Sequence, residues 1–229
     1  ITDLYGSSGV SGFGDESITI TGSSLTVLEA NAIDALTTGV VTASILTTEI
    51  VDSLASLTGT NNSYTITIAE ADATGSTAAE LNTIDAATTV TIDAGEITSI
   101  EGTYDQIVAL YESPEVSGLD NENISITDEI TVTQANAIDL LTTGVVTASI
   151  VTTETVDSLK TLTGTSNAYT IVISETSASA SDLNAINVLT TATVDLTNVT
   201  SVTSSTLSDL DTLSTAISDQ EFINATKLA

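Results

Sequence analysis

The sequence predicts an α/β fold: a singly wound repeat solenoid of short parallel strands and short helices. Three observations predict it. Residues 36–45 and 141–150 are the same ten letters, Leu-Thr-Thr-Gly-Val-Val-Thr-Ala-Ser-Ile. The copy extends well beyond them: Asn31-Ala-Ile-Asp34 returns as Asn136-Ala-Ile-Asp139, Leu57-Thr-Gly-Thr60 as Leu162-Thr-Gly-Thr165, and Tyr64-Thr-Ile-Thr-Ile68 as Tyr169-Thr-Ile-Val-Ile173. A tandem repeat of about 105 residues points to modules that bury apolar faces against their neighbours. The second observation is alternation, as in Ile18-Thr-Ile20 and Thr65-Ile-Thr-Ile68, which gives a strand one buried and one wet face. The third is three- and four-residue apolar spacing between those strands, which places side chains on one helix face.

The strands follow in order: Ser17–Thr21, Val40–Ser44, Tyr64–Ala69, Val90–Asp93, Asn123–Thr127, Val145–Ser149, Tyr169–Ser174 and Thr193–Leu196. Two kinds of helix alternate between them. One reads Leu28…Ala32-Ile33…Leu36 and returns as Leu81…Ile84, Ile138…Leu141 and Leu183…Ile186…Leu189. The other reads Val51…Leu54…Leu57 and returns as Ile107…Leu110, Val156…Leu159…Leu162 and Leu207…Leu210…Leu213. Thr26-x-x-Glu29, Thr77-x-x-Glu80, Thr103-x-x-Gln106 and Thr131-x-x-Gln134 each fit a capping box. Gly39, Gly59, Gly144 and Gly164 stand where helices are expected to end. The helices are short and rich in Thr, so they need tertiary packing to persist.

The result is about eight strand–helix modules of 21–34 residues. Right-handed connections put every helix on the same side of the sheet. Two other arrangements fit the same pattern: a plain parallel β-solenoid in which the helices are turns, and two tandem compact α/β domains. The expected divisions are 1–17, the tail of a preceding repeat; 18–123, repeat 1; 124–213, repeat 2; and 214–229, a cap or the start of a further module. Leu4-Tyr5-Gly-Ser matches Leu110-Tyr111-Glu-Ser, so the chain is expected to open inside a helix tail and to belong to a longer array.

Composition narrows the function. Thirty-one acids against two lysines and no arginine give a net charge of −29. Nucleic acid is excluded as a partner, because phosphate binding needs a basic footprint. The same charge disfavours anionic membranes, and no segment approaches a membrane span. The acids read either as a solvated, self-repelling surface or as a surface that collects divalent cations. Without His or Cys there is no Ser–His pair, disulfide, zinc or haem site. Paired carboxylates lack any accompanying catalytic motif, so the chain is expected not to be an enzyme.

Leu4-Tyr-Gly-Ser-Ser-Gly-Val-Ser-Gly-Phe-Gly-Asp-Glu16, Asn31-Ala-Ile-Asp-Ala-Leu-Thr-Thr-Gly39 and Asp182-Leu-Asn-Ala-Ile186 resemble the repeats of giant extracellular proteins of marine cyanobacteria and other marine bacteria. Such proteins carry adhesin-like or haemolysin-type calcium-binding labels. The resemblance covers nearly the whole chain and implies an extracellular or cell-surface location. The calcium label rests on a Gly-Gly-x-Gly-x-Asp nonapeptide that this chain lacks, so it does not carry over.

Calcium is instead considered from the acids themselves. Asp15-Glu16 and Asp120-Asn121-Glu122 occupy equivalent loops, which makes Asp15, Glu16, Asp120 and Glu122 the candidate ligands. Asp34, Asp85 and Asp139 recur at one helix position, with Asn187 at the fourth. Outward strand positions form a row of Thr19, Thr42, Thr65, Thr67, Thr91, Thr127, Thr147 and Thr170. This row reads as β-propensity on a wet face. Unequal modules and the intrusions of Val172 and Asp195 oppose a flat ice-binding array.

The expected function is that of a non-enzymatic structural repeat protein, a segment of an extracellular filament, surface layer or giant adhesin. The alternative is a stalk or a receptor- or carbohydrate-binding module of an adhesin or phage fibre. Expected partners are other copies or flanking repeats joined head to tail, with divalent cations or cell-surface glycans as further candidates. No cofactor other than Ca²⁺ is expected.

Overall fold

Alternating Ile and Thr favour extended backbone, and Thr26, Thr77, Thr103 and Thr131 cap the starts of helices. The computed structural model, which describes residues 1–9, 11–69, 76–164, 166–203 and 205–225, shows the α/β fold that follows. It divides into two halves, Ile1–Leu119 and Asp120–Ala229.

The first half runs α1 (Thr2–Tyr5), β1 (Ile18–Thr19), α2 (Val27–Asp34), β2 (Val41–Ser44), α3 (Val51–Leu54), β3 (Ser63–Thr65), β4 (Ser76–Thr77), α4 (Ala78–Ala86), β5 (Ile92–Asp93), β6 (Ser99–Gly102), α5 (Tyr104–Glu112) and β7 (Val116–Ser117). Its strands pair in parallel as β1-β2-β3, β4-β6 and β5-β7. Ile18 lies beside Val41, and Ala43 beside Tyr64.

The second half runs β8 (Asn123–Ile130), α6 (Val132–Asp139), β9 (Val146–Ile150), α7 (Val156–Leu159), β10 (Ala168–Val172), β11 (Ser177–Ser179), α8 (Ala180–Asn187), β12 (Val194–Asp195), β13 (Ser201–Thr203), α9 (Leu207–Ser218) and β14 (Phe222–Ile223). Here β8-β9-β10-β12-β14 form one parallel ladder and β11-β13 another. Ile18 and Ile124 both sit in strands, each beside a valine of the following module, Val41 and Val146. The parallel pairing of consecutive modules requires a crossover between strands, and the helices supply it.

All eight expected strands are present, but six more among the described residues are not visible in the sequence. β4, β6, β11 and β13 lie immediately before a helix and form a second ladder, as does the bridge between Leu25 and Ile45. These segments are too short and too rich in Ser and Gly for alternation to show. β7 and β14 follow α5 and α9 and rejoin the first ladder. Leu4 and Tyr5 are helical, as are Leu110 and Tyr111.

All four expected capping boxes form. Thr206 and Asp209 add a fifth. The buried helix face differs from the expected one. In α2 it is Val27, Ala30 and Ile33, while Leu28 is 80% exposed. In α2, α4, α6 and α8 the buried face begins at the first residue after the cap, Val27, Ala78, Val132 and Ala180. Leu207 and Leu210 of α9 are likewise exposed, and only Leu213 and Ala216 are buried there.

Of the alternating strand residues, Ile66, Ile68, Ile126, Ile171 and Ile173 are buried and Ile20 is half-buried; of the leucines on the expected helix faces, Leu54, Leu57, Leu159 and Leu162 are buried and Leu36 and Leu141 are half-buried. The glycines do not cap helices, since Ala35 and Ala55 do, in right-handed conformation. Gly59 and Gly164 instead take φ values of +82° and +78° in the turns beyond. Gly39 and Gly144 are required by close approach, because a Cβ would collide with the carbonyls of Glu16 and Glu122.

Candidate functional site: the contacts between modules

Two polar residues three positions apart share one face of a short helix. On α2 these are Asn31 and Asp34. Asn31 Oδ1 accepts from the Thr58 backbone N–H at 2.8 Å and from its hydroxyl at 3.2 Å, and Nδ2 donates to the Ser56 carbonyl at 2.8 Å. Asp34 accepts from the Thr58 hydroxyl and from Asn62 Nδ2, both at 2.8 Å. Asn62 is only 3% exposed, and its Oδ1 accepts from the Val41 backbone N–H at 2.9 Å. One helix thus grips the turn of the next module, and that turn reaches back to the first residue of β2.

The second half repeats the arrangement. Asn136 takes the Thr163 N–H at 2.8 Å, and Asp139 takes the Thr163 hydroxyl at 2.8 Å and Asn167 Nδ2 at 2.6 Å. Asn167 Oδ1 accepts from the Val146 N–H at 2.8 Å. Under each latch lies a fully buried tyrosine. Burial, then the Asp34 charge, pushes the Tyr64 hydroxyl up to about 12. Tyr169 is pushed up by burial and by Asp139, against the pull of its hydrogen bond with Asn167.

A second set of contacts uses the Thr-Thr pairs. The buried hydroxyls of Thr37, Thr88, Thr142 and Thr190 donate to the carbonyls of Glu16, Tyr64, Glu122 and Tyr169, at 2.6, 2.8, 2.6 and 2.8 Å. Each also accepts a backbone N–H two residues on. A third set serves the helix starts. The N–H groups of Val27, Val132 and Val156 donate to Glu49, Glu154 and Glu175 of the following module, at 3.1, 2.9 and 2.7 Å. Such carboxylates satisfy an orphan donor and also meet the positive end of the helix dipole.

The four candidate calcium ligands do not converge. Glu122 is fully buried and folds back to accept from the Asp120 and Asn121 N–H groups at 3.0 and 3.1 Å. Glu16 does the same with Gly14 and Asp15, at 2.7 and 3.1 Å. Burial pushes the Glu16 carboxyl up, but the N–H groups of Gly14, Glu16 and Asp15 together outweigh it and hold it below the usual range. Asp15 and Asp120 stay exposed. Among the described residues, no three acids come together in a group that could hold a metal ion.

The recurring helix acids are latch acceptors. Asp34 and Asp139 act as described, Asp85 accepts from Ser113 at 2.9 Å, and Asn187 donates to Glu221 at 2.6 Å. The threonine row is exposed apart from the half-buried Thr67, with Thr19 beside Thr42 and Ser44 beside Thr65.

Lys160 bridges two modules, its Nζ lying 2.9 Å from Asp157 and 2.7 Å from Asp182. Hydrogen bonds to Asp182 and then Asp157 raise its pKa, and Asp182 is lowered in return, first by Lys160 and then by Ser179. The matching position in the first half is Ala55. There Glu80 is held down by the Thr77 hydroxyl and by a hydrogen bond with Asp52.

The latches were not foreseen in the sequence. Their signal is the pairing of Asn-Ala-Ile-Asp with Leu-Thr-Gly-Thr, copied together in both repeats. No helix among the described residues is long and apolar enough to cross a membrane. Comparison of the chain with family models, with curated proteins and with solved structures finds no match.

Proposed function

We propose that the chain is a non-enzymatic structural protein, a segment of an extracellular filament, surface layer or giant adhesin, wound as a single solenoid within each half. The observation that carries this reading is the latch. Two helices in two repeats grip the following turn with the same residues at nearly the same distances. Polar side chains that in an enzyme would be left open to substrate are here engaged by backbone and side-chain groups of the neighbouring module. Bonds of this kind, in series with parallel ladders, resist separation of modules along the chain direction.

Composition supports an exposed, bulk-produced material: two lysines and no arginine leave trypsin-like proteases almost nothing to cut. Other copies or flanking repeats would add head to tail through strand edges, since β1 and β14 pair on one side only among the described residues. Screening by salt or divalent cations would favour such contacts between acidic surfaces.

Single-molecule pulling tests the mechanical reading. Each repeat should release roughly 350 Å of contour, from about 105 residues at about 3.4 Å each. The force should fall when Asp34 and Asp139 are both replaced by Ala. Extension at negligible force, with or without the latches, would sink the proposal.

A further inference from the structure

We propose that the corner between α8 and α9 binds a short neutral saccharide. The same corner exists in the first half and is small there. Between Asp34, Thr37, Gly39 and the Gly59–Asn62 turn it leaves a groove of about 240 Å³. Between Asn187, Thr190, Ala192 and the Asp219–Glu221 segment it opens to about 730 Å³, within the range of ligand sites.

The cause lies in the chain. After α3 the backbone lays down the turn carrying Thr58 and Asn62 before it enters β3. After the twelve-residue α9 it enters β14 almost at once, with only Asp219–Glu221 between. In the last module Glu221 reaches back to accept from Asn187 at 2.6 Å, but among the described residues nothing stands where Thr58 does in the first half.

What the corner lacks defines what fits it. Asn31 and Asn136 satisfy Oδ1 with the N–H and hydroxyl of Thr58 and Thr163. Asn184 stands at the same helix position. Its Nδ2 donates to the Asp209 carbonyl at 3.0 Å, but its Oδ1 is buried without a hydrogen-bond partner among the described residues. The carboxylates of Asp211 and Asp219 also line the groove. Acceptors therefore outnumber donors, and a ligand must bring hydroxyl groups.

The carboxylates repel uronic acids and sulfated sugars. Ala192, Ala216 and Val188, which is 66% exposed, offer apolar surface for sugar C–H faces. At the rim, Gln220 adopts a left-handed φ of +65° because it closes the end of α9, where its N–H and that of Glu221 bond to the carbonyls of Ile217 and Ala216.

This inference is separate from the structural role, since a spacer can carry a ligand groove or not. The test is NMR titration of the intact 229-residue chain with cellotriose, maltotriose and triacetylchitotriose, with trigalacturonate and trilysine as charged controls. A neutral trisaccharide should shift the Asn184, Thr191 and Asp219 resonances. Thr215→Trp, which fills the groove from an exposed position, should weaken binding about tenfold or more at an unchanged melting temperature. Asp219→Ala should do so as well, should Thr215→Trp disturb the fold. Shifts confined to other surfaces, binding of trilysine alone, or no response to any neutral trisaccharide would overturn the proposal.

Discussion

Replacing Asn62 by Ala separates a latch from an ordinary surface turn. The change leaves the Val41 N–H without its acceptor, in a residue with no exposed surface. An orphaned buried donor costs about 1–3 kcal/mol. It also removes the bond to the Asp34 carboxylate, worth about 1.5–3 kcal/mol when fully buried. Asp34 is half-buried and keeps the Thr58 hydroxyl, so water recovers most of that second loss. The expected cost is therefore about 2–4 kcal/mol. Asn61, the preceding residue, is exposed, and Asn61→Ala should stay within about 0.5 kcal/mol. Urea unfolding followed by far-ultraviolet circular dichroism measures both, with the slope checked for constancy. Asn167→Ala should cost at least as much as Asn62→Ala, because Asn167 makes the same bonds to a buried valine N–H and a helix aspartate and adds one to the Tyr169 hydroxyl. The reasoning fails if Asn62→Ala costs no more than Asn61→Ala, or if only one of the two buried asparagines matters.

Ala55→Lys should rebuild in the first half the bridge that Lys160 makes in the second, adding up to about 1 kcal/mol that fades in high salt. Lys160→Ala should raise the Asp182 titration seen by NMR; Asp182 is depressed in the folded state, so its contribution is present above the unfolded value and lost as pH falls through the folded one. Tyr64, raised to about 12, contributes stability that is complete below the ordinary tyrosine value near 10 and lost as pH rises through about 12. Tyrosinate absorbance should therefore show Tyr64 and Tyr169 ionising only as the fold is lost, and early titration of all five tyrosines would contradict their burial. Gly144→Ala should cost about 1–3 kcal/mol by pushing on the Glu122 carbonyl, whereas Gly9→Ala, with nothing nearer than ordinary contact, should be silent in thermal melts.

The first ladder and the helix starts were legible because each has a local cause. Ile18-Thr-Ile20 alternates within one strand, and Thr26 with Glu29 closes a box within one turn. The second ladder was not legible because Ser76-Thr77 and Ser177-Ala-Ser179 become strands only through neighbours a module away. Leu28 was misplaced for a related reason. Its spacing to Ala32 satisfies a helix period, but Val27 satisfies one equally, and only the cap geometry decides which residue turns inward. Asp34 was noticed as a recurring acid, yet its partners Thr58 and Asn62 lie in the next module, so sequence spacing alone suggested a bare charge.

The same latch acids explain in part why a chain with almost no basic residues carries so many carboxylates. A fold of short modules has many helix starts and turns, and each leaves backbone N–H groups without partners. Apolar residues cannot satisfy them, and basic side chains only donate. Carboxylates accept without donating, and here they repeatedly do so: Glu29 and Glu80 at caps, Glu49 and Glu154 at neighbouring helix starts, Glu16 and Glu122 in loops. The Thr26 backbone and hydroxyl hold the Glu29 carboxyl below its ordinary range. Such acids favour the folded state above the ordinary carboxylate pKa and withdraw that support as pH falls through the depressed value. Part of the −29 charge is therefore internal scaffolding. Neutralising it by Gln should be tolerated where an amide still accepts, as Gln106 and Gln134 already do in their own caps, and harmful at Glu122, where one oxygen takes both N–H groups and the other, buried without a partner among the described residues, would become an amide NH₂ with no acceptor.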